Sequence, residues 1–129
     1  MEMTFLRPWA PHILSILRIL TAATFLTHGT MKLFGWPAPF PYPLNGLLYF
    51  AGGLEVVGGI LLLVGLFSRP VAFILAGQMA IAYFMGHASS GFFPVLNGGE
   101  AAMLFCWIFL YIAAAGPGPI SIDRQMGRD

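Results

Sequence analysis

GLLYFAGGLEVVGGILLLVGLF, from Gly46 to Phe67, holds a single ionisable side chain, Glu55, in an otherwise apolar run. At about 1.5 Å per residue, a helix of this length covers the roughly 30 Å hydrocarbon core of a bilayer. Its glycine pairs, Gly52-Gly53 and Gly58-Gly59, read as packing positions where a second helix can come close. Three more stretches share this character: Ile13 to Phe34, Pro70 to Gly86, and about Asn97 to Ala115. The expected architecture is therefore all-α, a polytopic membrane four-helix bundle forming one domain over residues 1–129. Composition agrees, with 58% apolar residues, 9% charged residues and a mean hydropathy of +0.82.

The connections support the same count. Gly35 to Asn45 (GWPAPFPYPLN) carries four prolines, which neither continue a helix nor donate to a ladder. Ser68-Arg69-Pro70 reads as a tight turn, His87 to Leu96 as the third connection, and Gly116-Pro117-Gly118-Pro119 as the stop after the last helix. Leu44-Asn45-Gly46 and Leu96-Asn97-Gly98 open the second and fourth spans alike, an echo suggesting two helical hairpins in parallel repeat. A cleavable signal peptide competes for the first span, but no convincing cleavage site follows its apolar core.

Arg7, Arg69, Arg124 and Arg128 all fall on one side of the four spans, and the other side has only Lys32 at the end of the first. The positive-inside rule then predicts that both termini are cytoplasmic. Trp9, Trp36, Tyr42 and Tyr49 lie near span boundaries, as an aromatic belt requires, whereas Trp107 falls in mid-span.

Ionisable groups within a span must snorkel, pair or face water, so each is a functional candidate. Arg18, His28 and Lys32 fall within about 80° of one another around the first helix at 100° per residue. Glu55 lies about 13 Å into the second span, too deep for a carboxylate to snorkel. Gly52 and Gly59 share its face, so Glu55 is expected to point into the bundle. Its available partners are Lys32 and Arg18, with Gln78 of the third span as a neutral donor. With His87 ending the third span and Asn97 and Glu100 starting the fourth, His28, Lys32, Glu55, His87, Asn97 and Glu100 form the expected ligand-binding cluster in the outer half. Arg18 and Gln78 are expected as buried polar groups. A purely structural reading competes, in which Lys32 snorkels, Asn97 and Glu100 cap a helix, and Glu55 pairs with Arg18 to fix packing.

Other chemistries find little support. A net charge of +1 without a basic run gives no nucleic-acid footprint. Cys106 is the single cysteine, so no disulfide, redox pair or thiolate cage can form within the chain. The histidines and carboxylates lack a metal-ligand spacing, and no metal is expected. There is no nucleophile triad, P-loop or dinucleotide fingerprint.

In their order and spacing, five stretches resemble the DoxX family of small integral membrane proteins. They are Leu17-Arg18, HGTMKLFG from His28 to Gly35, GGLEVVGGILLLVGLFSR from Gly52 to Arg69, HASSGFFPVLNGGE from His87 to Glu100, and GPGPISID from Gly116 to Asp123. The last departs from the family pattern, with Pro119 where a basic residue is usual. The resemblance implies a four-span bundle in a bacterial inner membrane. For some members it also implies a role as the membrane subunit of a thiosulfate:quinone oxidoreductase. Matched residue by residue, it carries over Arg18, His28, Lys32, Glu55, His87, Asn97 and Glu100.

Three functions compete: a subunit of a redox complex that binds quinone at the outer cluster, a non-enzymatic membrane scaffold or assembly partner, and a small transporter. No flavin, haem or iron-sulfur ligand set is present in the sequence, so quinone is the one cofactor expected and electrons would come from a redox partner protein. The bilayer is the certain partner in all three, and a homo-oligomer stays open. A pore would need a polar path through both halves, and the inner half offers only Arg18 and Gln78.

Overall fold

Glycine and asparagine set half of the helix ends here, and the computed structural model, which describes residues 2–129, places these close to the punctuation of the sequence. Helix α1 (Ala10–Phe34) stops at Gly35, which takes the left-handed conformation at φ 68°; its N–H returns to the Met31 carbonyl and the Trp36 N–H to the Thr30 carbonyl. Helix α2 (Gly46–Val64) starts at Asn45, whose side chain accepts from the Leu48 N–H. Helix α3 (Ser68–Gly86) follows after a short turn. A single turn, α4 (Pro94–Asn97), precedes α5 (Glu100–Ala115), and a last short helix, α6 (Ile122–Gln125), lies beyond the Gly-Pro stretch. No strand occurs among the described residues.

Four boundaries differ from the sequence expectation. Helix α2 ends at Val64 rather than Phe67, and α3 begins at Ser68, so Ser68-Arg69-Pro70 is the first turn of a helix and the connection is Gly65–Phe67, where Gly65 takes the left-handed conformation at φ 73°. A 3-10 turn over Thr4–Trp9 runs directly into α1, so helical structure begins well before Ile13. The last long helix begins at Glu100 rather than Asn97, because Gly98 adopts φ 77° and breaks the chain direction between α4 and α5. Thr4–Phe34, Gly46–Val64 and Ser68–Ser90 are long and apolar enough to cross a membrane. Helix α5 has 16 residues; at the usual rise that is about 24 Å, less than a full hydrocarbon core.

The helices pair as two hairpins: α1 lies along α2, α3 lies along α5, and α2 meets α3 between them. The backbones of α1 and α5 come close at few points and meet mainly through aromatic side chains. The core is thin and mixes alanines with larger aliphatic and aromatic groups, with Ala22, Phe25, Leu62, Ala72, Leu75, Ala76, Phe109 and Ile112 buried. Phe25 meets Phe105 and Phe109 edge-on at 5.4 and 4.9 Å between ring centres. Outside it, Leu20, Phe50, Phe73, Phe84 and Trp107 all stand exposed on the helix faces. Such a surface suits lipid, where apolar contact needs no shielding from water. The chain is an integral, polytopic all-α membrane protein.

Candidate functional site

The site begins with glycine. A Cβ added at Gly29 would lie 2.8 Å from the Gly52 carbonyl oxygen and 2.9 Å from the Glu55 Cβ. A Cβ at Gly52 would meet the Lys32 Cβ at 3.0 Å, and one at Gly59 the Leu26 Cβ at 3.2 Å. Three small residues therefore let α1 and α2 touch nearly backbone to backbone. Gly52 and Gly59 were legible from their spacing around Glu55; Gly29 stands on the partner helix, and the sequence reading missed it.

That close crossing joins Lys32 to Glu55 at 2.8 Å, with both side chains almost wholly buried. Gln78 of α3 donates from its Nε2 to the other Glu55 oxygen at 3.1 Å. The Lys32 ammonium also faces the Phe40 ring at 4.9 Å, so the proline-rich loop after α1 closes over the pair. A buried carboxylate is thus held by a cation and a neutral donor, as its lone pairs require. The Gln78 Oε1 atom is buried without a hydrogen-bond partner among the described residues.

The side chains of the other expected members do not join this centre, although the Lys32 ammonium also lies 3.5 Å from the His28 backbone carbonyl. His28 is exposed, with its ring edge-on to Phe105 at 5.7 Å. The buried side chains of α1 include Ser15, Arg18, Thr21, Ala22, Phe25, Gly29 and Lys32. At 100° per residue they cover an arc of about 120°, and His28 falls just beyond its edge. His87 and Asn97 form a second group: the His87 Nδ1 lies 3.2 Å from the Asn97 carbonyl oxygen. The Asn97 amide donates to the Tyr83 hydroxyl at 3.1 Å and the Gly91 carbonyl at 3.0 Å, and its oxygen accepts from the Gly99 N–H at 2.8 Å. Asn97 therefore holds the connection before α5, whereas Asn45 caps a helix; the repeated Leu-Asn-Gly does different work at its two positions. Glu100 is exposed in the first turn of α5, where a negative charge is favoured by the helix dipole. Among the described residues, no three His, Cys, Asp or Glu side chains gather as a metal-binding group.

Arg18 does not pair with Glu55. It is 1% exposed, and its guanidinium donates to the Leu62 carbonyl at 2.8 Å, the Ile120 carbonyl at 2.7 Å and the Pro117 carbonyl. Ser15, one turn earlier, donates to Pro117 at 3.1 Å and accepts from the Ile120 N–H at 3.0 Å. The Gly116–Asp123 segment thus lies across the end of α1. Asp123 anchors it by accepting from the Phe67 and Ser68 N–H groups, both at 2.8 Å, at the start of α3. Burial alone would push the Asp123 carboxyl up, but these backbone donors outweigh it and hold the group below its ordinary value. The sequence reading did not select Asp123 or Ser15.

The DoxX family model matches residues 13–88, from the start of the first apolar stretch to just past α3. The chain belongs to the DoxX family. An uncharacterized protein of Haemophilus influenzae is 42% identical, the match covering 95% of this chain and 97% of that one. Two proteins of Escherichia coli K12 are also similar: inner membrane protein YphA, 31% identical over 89% of this chain and 91% of that one, and inner membrane protein YqjF, 29% identical over 88% and 91%. No solved structure matches.

Proposed function

We propose that this DoxX protein is a non-enzymatic membrane subunit, a scaffold or assembly partner for another membrane protein, with four crossings and both termini in the cytoplasm. The closure of its buried charges carries this reading. Arg18 directs its donors at backbone carbonyls, and Lys32 and Gln78 each donate to one oxygen of Glu55. Groups so engaged stabilise an interior and leave no free acid, base or nucleophile at its centre. Native mass spectrometry of the gently extracted protein tests it: a stoichiometric second protein is expected, and a chain that emerges alone from every mild detergent and acts on a substrate by itself overturns it.

A second reading, a quinone-binding subunit of a redox complex, is favoured by one feature. His28 presents an exposed imidazole beside Phe105, one turn from Lys32, on a face that a lipid-soluble quinone could reach from the bilayer. An imidazole there could exchange a proton with a quinone oxygen, while electrons came from a partner protein. Quinone retained by the wild type and lost in His28→Ala would place this reading first. Orientation is tested by a cysteine at Ser90 in a Cys106→Ser background, which an impermeant thiol reagent should label in intact cells. Protection there, with labelling at Arg124→Cys, reverses the topology.

A further inference from the structure

At the arginine-rich end of the bundle, away from the Phe25–Phe109 contact, the wide spacing of the α1 and α5 backbones leaves a cleft. It has two compartments of about 720 and 340 Å³, and Ala10, Leu14 and Tyr111 line both. Arg7 borders the larger compartment and Arg124 the smaller. Ile13 and Leu17, both exposed, continue the larger one down the apolar face of α1. Tyr111, which lines both compartments, is itself largely exposed, an aromatic type that sits at the level of lipid headgroups.

We propose that this cleft binds one anionic glycerophospholipid, its phosphate held by Arg7 and Arg124 and an acyl chain lying along Ile13 and Leu17. The inference rests on the chain's place in the bilayer and not on either functional reading above. The Arg7 guanidinium has no hydrogen-bond or ion-pair partner among the described residues. Arg124 meets Asp129 at 3.2 Å, but that pair is exposed, and an exposed pair is weak enough to yield to a phosphate that takes two parallel N–H bonds from a guanidinium. Glu2 also borders the larger compartment and Asp129 the smaller. Against these two carboxylates and the helix-capping Asp123, this end of the chain carries Arg7, Arg18, Arg69, Arg124 and Arg128, so its charge is positive. Basic recesses between membrane helices on the positive side recognise anionic headgroups in this way.

The experiment is native mass spectrometry of the full chain released from nanodiscs with equal phosphatidylethanolamine and phosphatidylglycerol. The wild type should retain one phosphatidylglycerol in preference, and Arg7→Gln with Arg124→Gln should cut that preference about tenfold. Arg128→Gln, at the same end but outside the cleft, should leave it unchanged. Ala10→Trp, which fills the shared wall and keeps every charge, should expel the lipid; circular dichroism and thermal melting check that each variant is folded. Equal retention in the wild type and the double variant, an equal loss in Arg128→Gln, or undiminished retention in folded Ala10→Trp each overturns the proposal.

Discussion

Arg18 and Lys32 stand on one face of α1, about four turns apart, and are neutralised by different means. Lys32 meets a side chain, the Glu55 carboxylate, across a helix crossing thinned by glycine. Arg18 meets only backbone: carbonyls at the end of α2 and in the Gly-Pro segment after α5. The first centre is a pair between two regular helices; the second joins three distant parts of the chain through a segment with no regular structure until α6. A charge in a membrane interior is expensive either way, but its removal has different consequences. Loss of Lys32 or Glu55 strands one charge, and loss of Arg18 strands several carbonyls and frees a whole segment.

The largest effect should therefore come from Arg18→Met. Three charge-assisted hydrogen bonds disappear and their acceptors stay buried, so unfolding in mixed detergent micelles should become easier by about 4 kcal/mol. The Gly116–Asp129 segment should also become open to protease. Resistance of that segment in a folded variant would show that Asp123 holds it without Arg18.

Next in size, Glu55→Ala should cost roughly 3 kcal/mol by leaving Lys32 buried and unpaired. Lys32→Met with Glu55→Leu should recover much of that loss, and the double-mutant cycle should show strong coupling. Lys32 and Arg18 should show no such coupling. A large value for that second cycle would merge the two centres into one.

Asp123→Asn should be milder, about 1 kcal/mol, because it weakens the carboxylate contact with two N–H groups at the start of α3. The carboxyl of Asp123 titrates below its ordinary value in the folded protein. Its contribution is then fully present above the ordinary carboxylate range and is lost as pH falls through the folded value. Acid unfolding of the variant should be less steep over that window. An unchanged acid limb would assign the tail's attachment to Arg18 alone.

The smallest effect belongs to His28→Ala. The ring is exposed and makes no side-chain hydrogen bond among the described residues, so stability should change by less than about 0.5 kcal/mol. A larger loss would mean that the Phe105 contact is part of the packing rather than an open edge.

Much of the Lys32 centre was legible because its parts obey helical periodicity. Glu55 sits between Gly52 and Gly59 on one face, and depth alone forbids it from snorkelling. The six residues expected as one cluster are not all gathered around Glu55, since shared depth says nothing about angle: His28 misses the buried arc of α1 by a small rotation, and Glu100 lies on an open face of α5. Phe40 and Tyr83 escaped notice because an aromatic in an apolar chain carries no signal of the cation or amide it will meet.

The sequence by itself determined that this chain lives in a bilayer, that it is all helical, and that Glu55 must find a partner inside it. Run length, hydropathy and the cost of a bare charge in lipid are properties of single segments, so they can be read along one dimension. Which cation meets Glu55, and where Arg18 goes instead, was decided only by tertiary structure. Arg18 is satisfied by carbonyls of Leu62, Pro117 and Ile120, and every residue has a carbonyl. No residue type marks those three for the task; only the fold brings them to the guanidinium.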